Sequence, residues 1–155
     1  MKNANLFIYV LLTLFIVSCS KDSDDNNNVA GDDLIIGVWK SVKDVYTDNG
    51  VVEEYTPNPC EQKSRITFEG NGNIKMLLFY DYEDDVTCID YSADFISGSW
   101  QKISEGNYKV TTTFYDESTN KNETDIETIS ILFPNSNTMR ILYNATDYSE
   151  YSRVQ

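Results

Sequence analysis

From Leu34 to Gln155 the chain is a succession of short segments rich in Val, Ile, Thr, Tyr and Phe, broken by Asn, Asp and Gly. Nowhere does it keep a 3.6-residue apolar period over a helical length, so an all-β fold follows. Asp48-Asn49-Gly50 separates Ile35–Thr47 from Val51–Thr56, and Asn71-Gly72 separates Ser64–Glu69 from Asn73–Tyr82. Both are hairpin turns of the kind that needs positive φ. Glu105-Gly106-Asn107, Pro134–Asn137 and Asn144–Asp147 are further short connections, and Asp116–Glu123 is the longest polar loop.

These breaks leave roughly eight to ten strands, nearly all joined by connections too short for a parallel crossover. The expected topology is an antiparallel up-and-down meander. A meander of this length hides its two long edges most simply by closing, which predicts a β-barrel. Alternation supplies the inward face: Tyr108, Val110, Thr112 and Phe114 in one strand, Ile129, Ile131 and Phe133 in the next, then Met139, Ile141 and Tyr143. Met76–Tyr80 is apolar on both faces, which predicts a strand covered from outside or a lipid- or partner-facing patch.

Composition limits the partners. The 155 residues carry 12 basic and 25 acidic side chains, a formal net charge of −13, and no histidine. Nucleic acid and anionic bilayer surfaces need a basic footprint that this chain lacks. Imidazole-based triads and histidine-ligated zinc are unavailable. No nucleophile elbow, phosphate-binding glycine loop or metal-ligand spacing occurs in the domain, so no enzyme activity, cofactor or metal is expected. The cluster Asp81, Glu83, Asp84 and Asp85 reads as a solvated hairpin tip.

At the amino terminus, Leu6–Val17 is an apolar run of 12 residues behind the single charge of Lys2. As a helix it would span roughly 18 Å against a hydrocarbon core of ~30 Å, too short to cross and suited to a signal peptide. Ile16-Val17-Ser18-Cys19 resembles the bacterial lipobox, in which the cysteine is acylated and becomes the new amino terminus. The resemblance implies a signal peptide over residues 1–18 and a lipid anchor on Cys19, with membrane as a partner through acyl chains rather than through basic residues. Residues 19–33 then form an acylated cysteine and a disordered acidic tether, and residues 34–155 the folded domain. Ser20–Asp25 looks like the acidic export signal of some surface lipoproteins, or is a self-repelling spacer. The expected address is the outer membrane, on its cell-surface or periplasmic face.

With Cys19 assigned to lipid, Cys60 and Cys88 remain as an even pair. An exported protein permits a structural disulfide between them, free thiols being the alternative, and neither lies in a CxxC motif.

Gly37-Val38-Trp39, at the start of the first strand, resembles the GxW signature of lipocalins, and Gly98-Ser99-Trp100 repeats it. With the lipobox, the acidic tether, Pro59-Cys60, the Arg65–Phe68 strand and Cys88, the pattern resembles the lipocalin-like domain lipoproteins of Gram-negative bacteria. The resemblance implies a lipocalin-like barrel whose glycines admit close approach and whose indoles plug one end. It also implies an arginine over the first tryptophan, with Arg153 the first candidate and Arg140 the second, and it favours pairing Cys60 with Cys88.

Such a barrel either fills its interior with side chains or holds one small ligand. Tyr80, Tyr82, Tyr108, Phe114 and Tyr143 are the candidates to line a cup for a small hydrophobic or amphiphilic molecule. The alternative is a packed core with tyrosine hydroxyls at the rim, in an envelope interaction or structural module without a small ligand. A monomer is expected in either case.

Overall fold

In the computed structural model, which describes residues 32–81 and 87–155, eleven strands run through the chain and no α-helix occurs among the described residues. They are β1 (Gly37–Asp48), β2 (Val51–Tyr55), β3 (Arg65–Phe68), β4 (Asn73–Leu77), β5 (Phe79–Asp81), β6 (Cys88–Asp90), β7 (Phe95–Ser104), β8 (Asn107–Asp116), β9 (Lys121–Asn135), β10 (Thr138–Leu142) and β11 (Tyr148–Arg153). The signal peptide, Cys19 and the tether as far as residue 31 lie outside the described residues, as do Tyr82, Glu83, Asp84 and Asp85.

The sheet order is β11-β10-β9-β8-β7-β4-β3-β1-β2, and β11 pairs with β1. Eight strands therefore close an antiparallel barrel, with β2 as an extra strand. Every ladder is antiparallel, as short connections require. The first hairpin turns at Asn49 (φ 49°) and Gly50 (φ 81°), both left-handed, which matches the strand twist of a two-residue loop. At Asn71-Gly72 only Gly72 is left-handed (φ 85°).

The long β1 serves two neighbours on one side. Its upper half, Asp44–Asp48, pairs with β2, and its first residues, Gly37–Trp39, pair with β3. Between β2 and β3 the chain loops out through a single 3₁₀ turn at Glu61–Lys63. The apolar run Met76–Tyr80 is divided in the same manner, a correction to the single strand expected over Asn73–Tyr82. β4 ends at Leu77, and β5 leaves the barrel to form a two-stranded ribbon with β6. Met76 packs against the core, whereas the ring of Phe79 lies under Lys63 and Tyr80 stacks on Tyr91 at 4.0 Å. Both faces are apolar because one half of the run faces the barrel and the other faces the ribbon.

The disulfide joins these two excursions. Cys60 and Cys88 are bonded, with Cα atoms 5.4 Å apart. Ser64 adds a second tie: its hydroxyl accepts from the Phe79 amide at 2.8 Å and donates to the Phe79 carbonyl at 3.1 Å.

The core is concentrated toward one end. Ile35, Trp39, Tyr108 and Met139 are fully buried there, with Phe68, Ile74, Trp100, Val110 and Ile131 nearly so.

Candidate functional site

Two structures make up the site: a plug at one end of the barrel and a cup above it. The plug is built on the two GxW segments. Trp39 is completely buried, its Nε1 donates to the Ile35 carbonyl at 2.7 Å, and its ring lies 6.1 Å from Phe133. The guanidinium carbon of Arg153 stands 4.3 Å from the Trp39 ring centroid. The same group donates to the carbonyls of Ile36 (2.5 Å), Leu34 (2.7 Å) and Ser136 (2.8 Å). Gly37 has φ 143°, and a Cβ there would overlap Arg153 Nη1. Arg140, the second candidate, is turned outward, paired with Glu150 at 2.7 Å and placed over Tyr148 at 4.5 Å.

Trp100 repeats the arrangement on the other wall. Its Nε1 donates to the Glu69 carbonyl at 3.0 Å, and its ring packs against Phe68 (6.3 Å) and Tyr108 (5.9 Å). A Cβ on Gly98 would meet the Phe95 ring at 2.8 Å and Ile74 at 2.9 Å, so only glycine leaves room for these two side chains.

Beneath both indoles runs the segment from Asp33 to Ile36. Composition assigns Asp33 to the tether, yet its carboxylate accepts from Tyr108 Oη (2.7 Å) and the Ile35 amide (3.1 Å) and pairs with Lys102 (3.2 Å). Burial works against its ionisation, but the Tyr108 and Ile35 hydrogen bonds and Lys102 outweigh it and hold the carboxyl below the usual carboxylate range. Tyr108 shifts oppositely, its hydroxyl pushed well above the ordinary phenol value by burial and by the Asp33 carboxylate.

Above the plug the barrel is hollow. A cavity of about 690 Å³ is lined at its base and walls by Phe68, Ile74, Met76, Val110, Ile129 and Ile141. Thr112, Phe114, Tyr143, Tyr151, Asp125 and Glu127 also line it; Thr112, paired with Asp125, and then Phe114 stand nearer the mouth than Val110, which pairs with Glu127. On the β11 side Ser149 is buried, donates to Asp44 and lies 2.8 Å from Tyr143 Oη. Burial raises Tyr151 far above the ordinary tyrosine value.

Of the five side chains expected to line a cup, Phe114 and Tyr143 do so. Two are elsewhere. Tyr108 shares the inward parity of Phe114 but sits low enough to be part of the plug, bonded to Asp33. Tyr80 belongs to the outer ribbon because the chain leaves the barrel after Leu77. Tyr82 is outside the described residues. The sequence reading missed Asp44, Asp125, Glu127, Ser149 and Tyr151. Asp125 and Glu127 could have been found by parity, being four and two residues before the inward Ile129. Among the described residues no group of three or more Cys, Asp or Glu side chains is arranged to hold a metal ion.

A closed antiparallel meander, tryptophan-plugged at one end and hollow above, defines the class of cup-shaped, up-and-down β-barrels. The chain belongs to the lipocalin-like domain family, whose model matches residues 35–141. That match includes both GxW segments and both disulfide cysteines. The closing strand β11 with Arg153 lies beyond it. No curated protein matches the chain.

Proposed function

We propose that this chain is a membrane-anchored lipoprotein whose barrel binds a small hydrophobic or amphiphilic molecule in its cup. The observation that carries the binding reading is the 690 Å³ cavity, whose lining combines a set of apolar side chains with the carboxylates of Asp125 and Glu127 and with threonine and tyrosine hydroxyls. Its size falls within the range of about 300–1,000 Å³ common to small-molecule sites, and its mixed lining suits a ligand with an apolar body and a polar end. The same cavity speaks against the filled interior on which the alternative, a purely structural interaction module, depended.

The anchor is supported by the sequence of Leu6–Val17 followed by Ser18-Cys19. The described chain begins at the plugged end, where Asp33 meets Tyr108. The proposed address is the outer membrane.

Native mass spectrometry of the protein purified from its own host tests the cup: a reproducible small-molecule adduct is expected, and consistent recovery of the bare chain would count against a resident ligand. Cys19→Ala is expected to move the protein from the membrane fraction to the soluble one, and retention in the membrane would refute the anchor. Protease shaving of intact cells then assigns the face.

A further inference from the structure

We propose that the polar end of the ligand is a cation, so that the cup takes an amphiphile bearing a protonated amine or a comparable positive group; this rests on the reading of the cup as a ligand site. The charged side chains that line the cavity are Asp125 and Glu127, and no lysine or arginine lines it. Their orientation is fixed by register. Asp125 is the β9 partner of Thr112 and Glu127 the partner of Val110, and cross-strand partners share a face. Thr112 and Val110 both line the cavity, so the carboxylates project to the same side, Glu127 level with Val110 and Asp125 one inward position nearer the mouth.

Neither carboxylate has an internal partner. No ion pair or side-chain hydrogen bond among the described residues reaches the carboxylate of Asp125 or Glu127. Across the mouth the polar side is acidic too. Asp44 is the β1 partner of Ser149, which is itself the partner of the cavity-lining Ile141, so this carboxylate also faces inward, hydrogen-bonded by Ser149. Lys121 shares the parity of Asp125 but sits at the far end of β9, opposite Asp116, and does not line the cavity; the cations beside Asp44 are turned the other way. Lys43 and Arg140 both pair in register with Glu150, on the outer face, and are engaged there by Glu54 at 2.7 Å and by Glu150 at 2.7 Å. An anionic head placed at the mouth would meet like charge without a counter-ion, whereas a cation would meet carboxylates on two sides.

Inward charges on β9 have one competing explanation. Residues 121–128 pair with β8 alone, because the β10 ladder begins at Ser130. Charges on such an edge discourage pairing with another chain. Ligand selectivity separates the two roles.

The purified full-length chain is titrated at low ionic strength with three probes sharing one apolar tail, decylammonium, 1-decanol and decanoate, each below its aggregation concentration. Decylammonium is expected to bind tightest, by about tenfold over decanoate, and the ratio should shrink as salt rises. Asp125→Asn/Glu127→Gln should cancel most of that ratio while 1-decanol affinity holds. The double variant Asp32→Asn/Glu105→Gln, which removes the same charge near the plugged end, should preserve it. Equal or reversed affinities for the two ions, with 1-decanol bound, would overturn the cationic head and leave the cup as a ligand site. A ratio unchanged in Asp125→Asn/Glu127→Gln would assign those carboxylates to edge protection and overturn the inference as well. Failure of all three probes to bind would refute the ligand reading itself.

Discussion

Arg153→Met removes the group that ties the last strand to the first turn of the domain. The guanidinium donates to three carbonyls, those of Leu34, Ile36 and Ser136, and lies over Trp39. A hydrogen bond to a charged group contributes about 1.5–3 kcal/mol when well shielded, but Arg153 is only half-buried, and water replaces part of each lost bond. The stacked cation adds about 0.5–1 kcal/mol. Together these give an expected loss of about 3 kcal/mol for methionine, and about half of that for lysine, which keeps the charge but not the fork. Arg140→Met is the matched control, since its ion pair with Glu150 lies on the outer face and should contribute about 1 kcal/mol or less. Urea unfolding under oxidising conditions, followed by tryptophan fluorescence, reads all three. With a slope of about 2 kcal/mol per molar, Arg153→Met should lower the midpoint by roughly 1.5 M. A shift below about 0.3 M, or one no larger than that of Arg140→Met, would refute the role assigned to the plug.

The disulfide gives a second test. Cys60→Ser/Cys88→Ser opens a loop of sequence separation 28, and on the chain-entropy estimate stability falls by about 3.5 kcal/mol; a matching loss in wild-type protein unfolded with reductant checks it, and no loss would show the two excursions to be held otherwise. Acid provides a third. The pKa of Asp33 is depressed by the fold, so its contribution is full above the ordinary carboxylate value and disappears as pH falls through the lower folded value. Asp33→Asn should therefore be destabilised at pH 7, with the gap to wild type closing below about pH 4. A gap independent of pH would show that the carboxylate charge is not what Tyr108 and Lys102 recognise.

Strand content, antiparallel order and closure were legible in the sequence because alternation and turn chemistry are local. Tyr108, Val110, Thr112 and Phe114 share a face in the sequence and share it in the barrel. Height along the barrel was not legible. Parity cannot say that Tyr108 is in the plug and Phe114 in the cup, since that depends on the strand's stagger against its neighbours. Excursions are hidden for a related reason: an apolar run looks the same whether it continues in the barrel or leaves it, so parity alone groups Tyr80 with the barrel. The inward carboxylates are hidden because an acidic side chain in a strand is ordinarily a solvated one. Glu127 follows Asp125 at the spacing of an inward face, a signal present in the sequence but masked by the 25 acidic residues around it.

The central claim is that the barrel is hollow and that its hollow is what binds. Its most direct measurement is a fluorescence titration of the full-length chain with the uncharged probe N-phenyl-1-naphthylamine, repeated on Thr112→Trp and Thr111→Trp. Thr112 lines the cavity and Thr111, its neighbour, does not. Saturable enhancement in wild type and in Thr111→Trp, abolished in Thr112→Trp, is the predicted result. Equal enhancement in all three, or none in wild type, would contradict it.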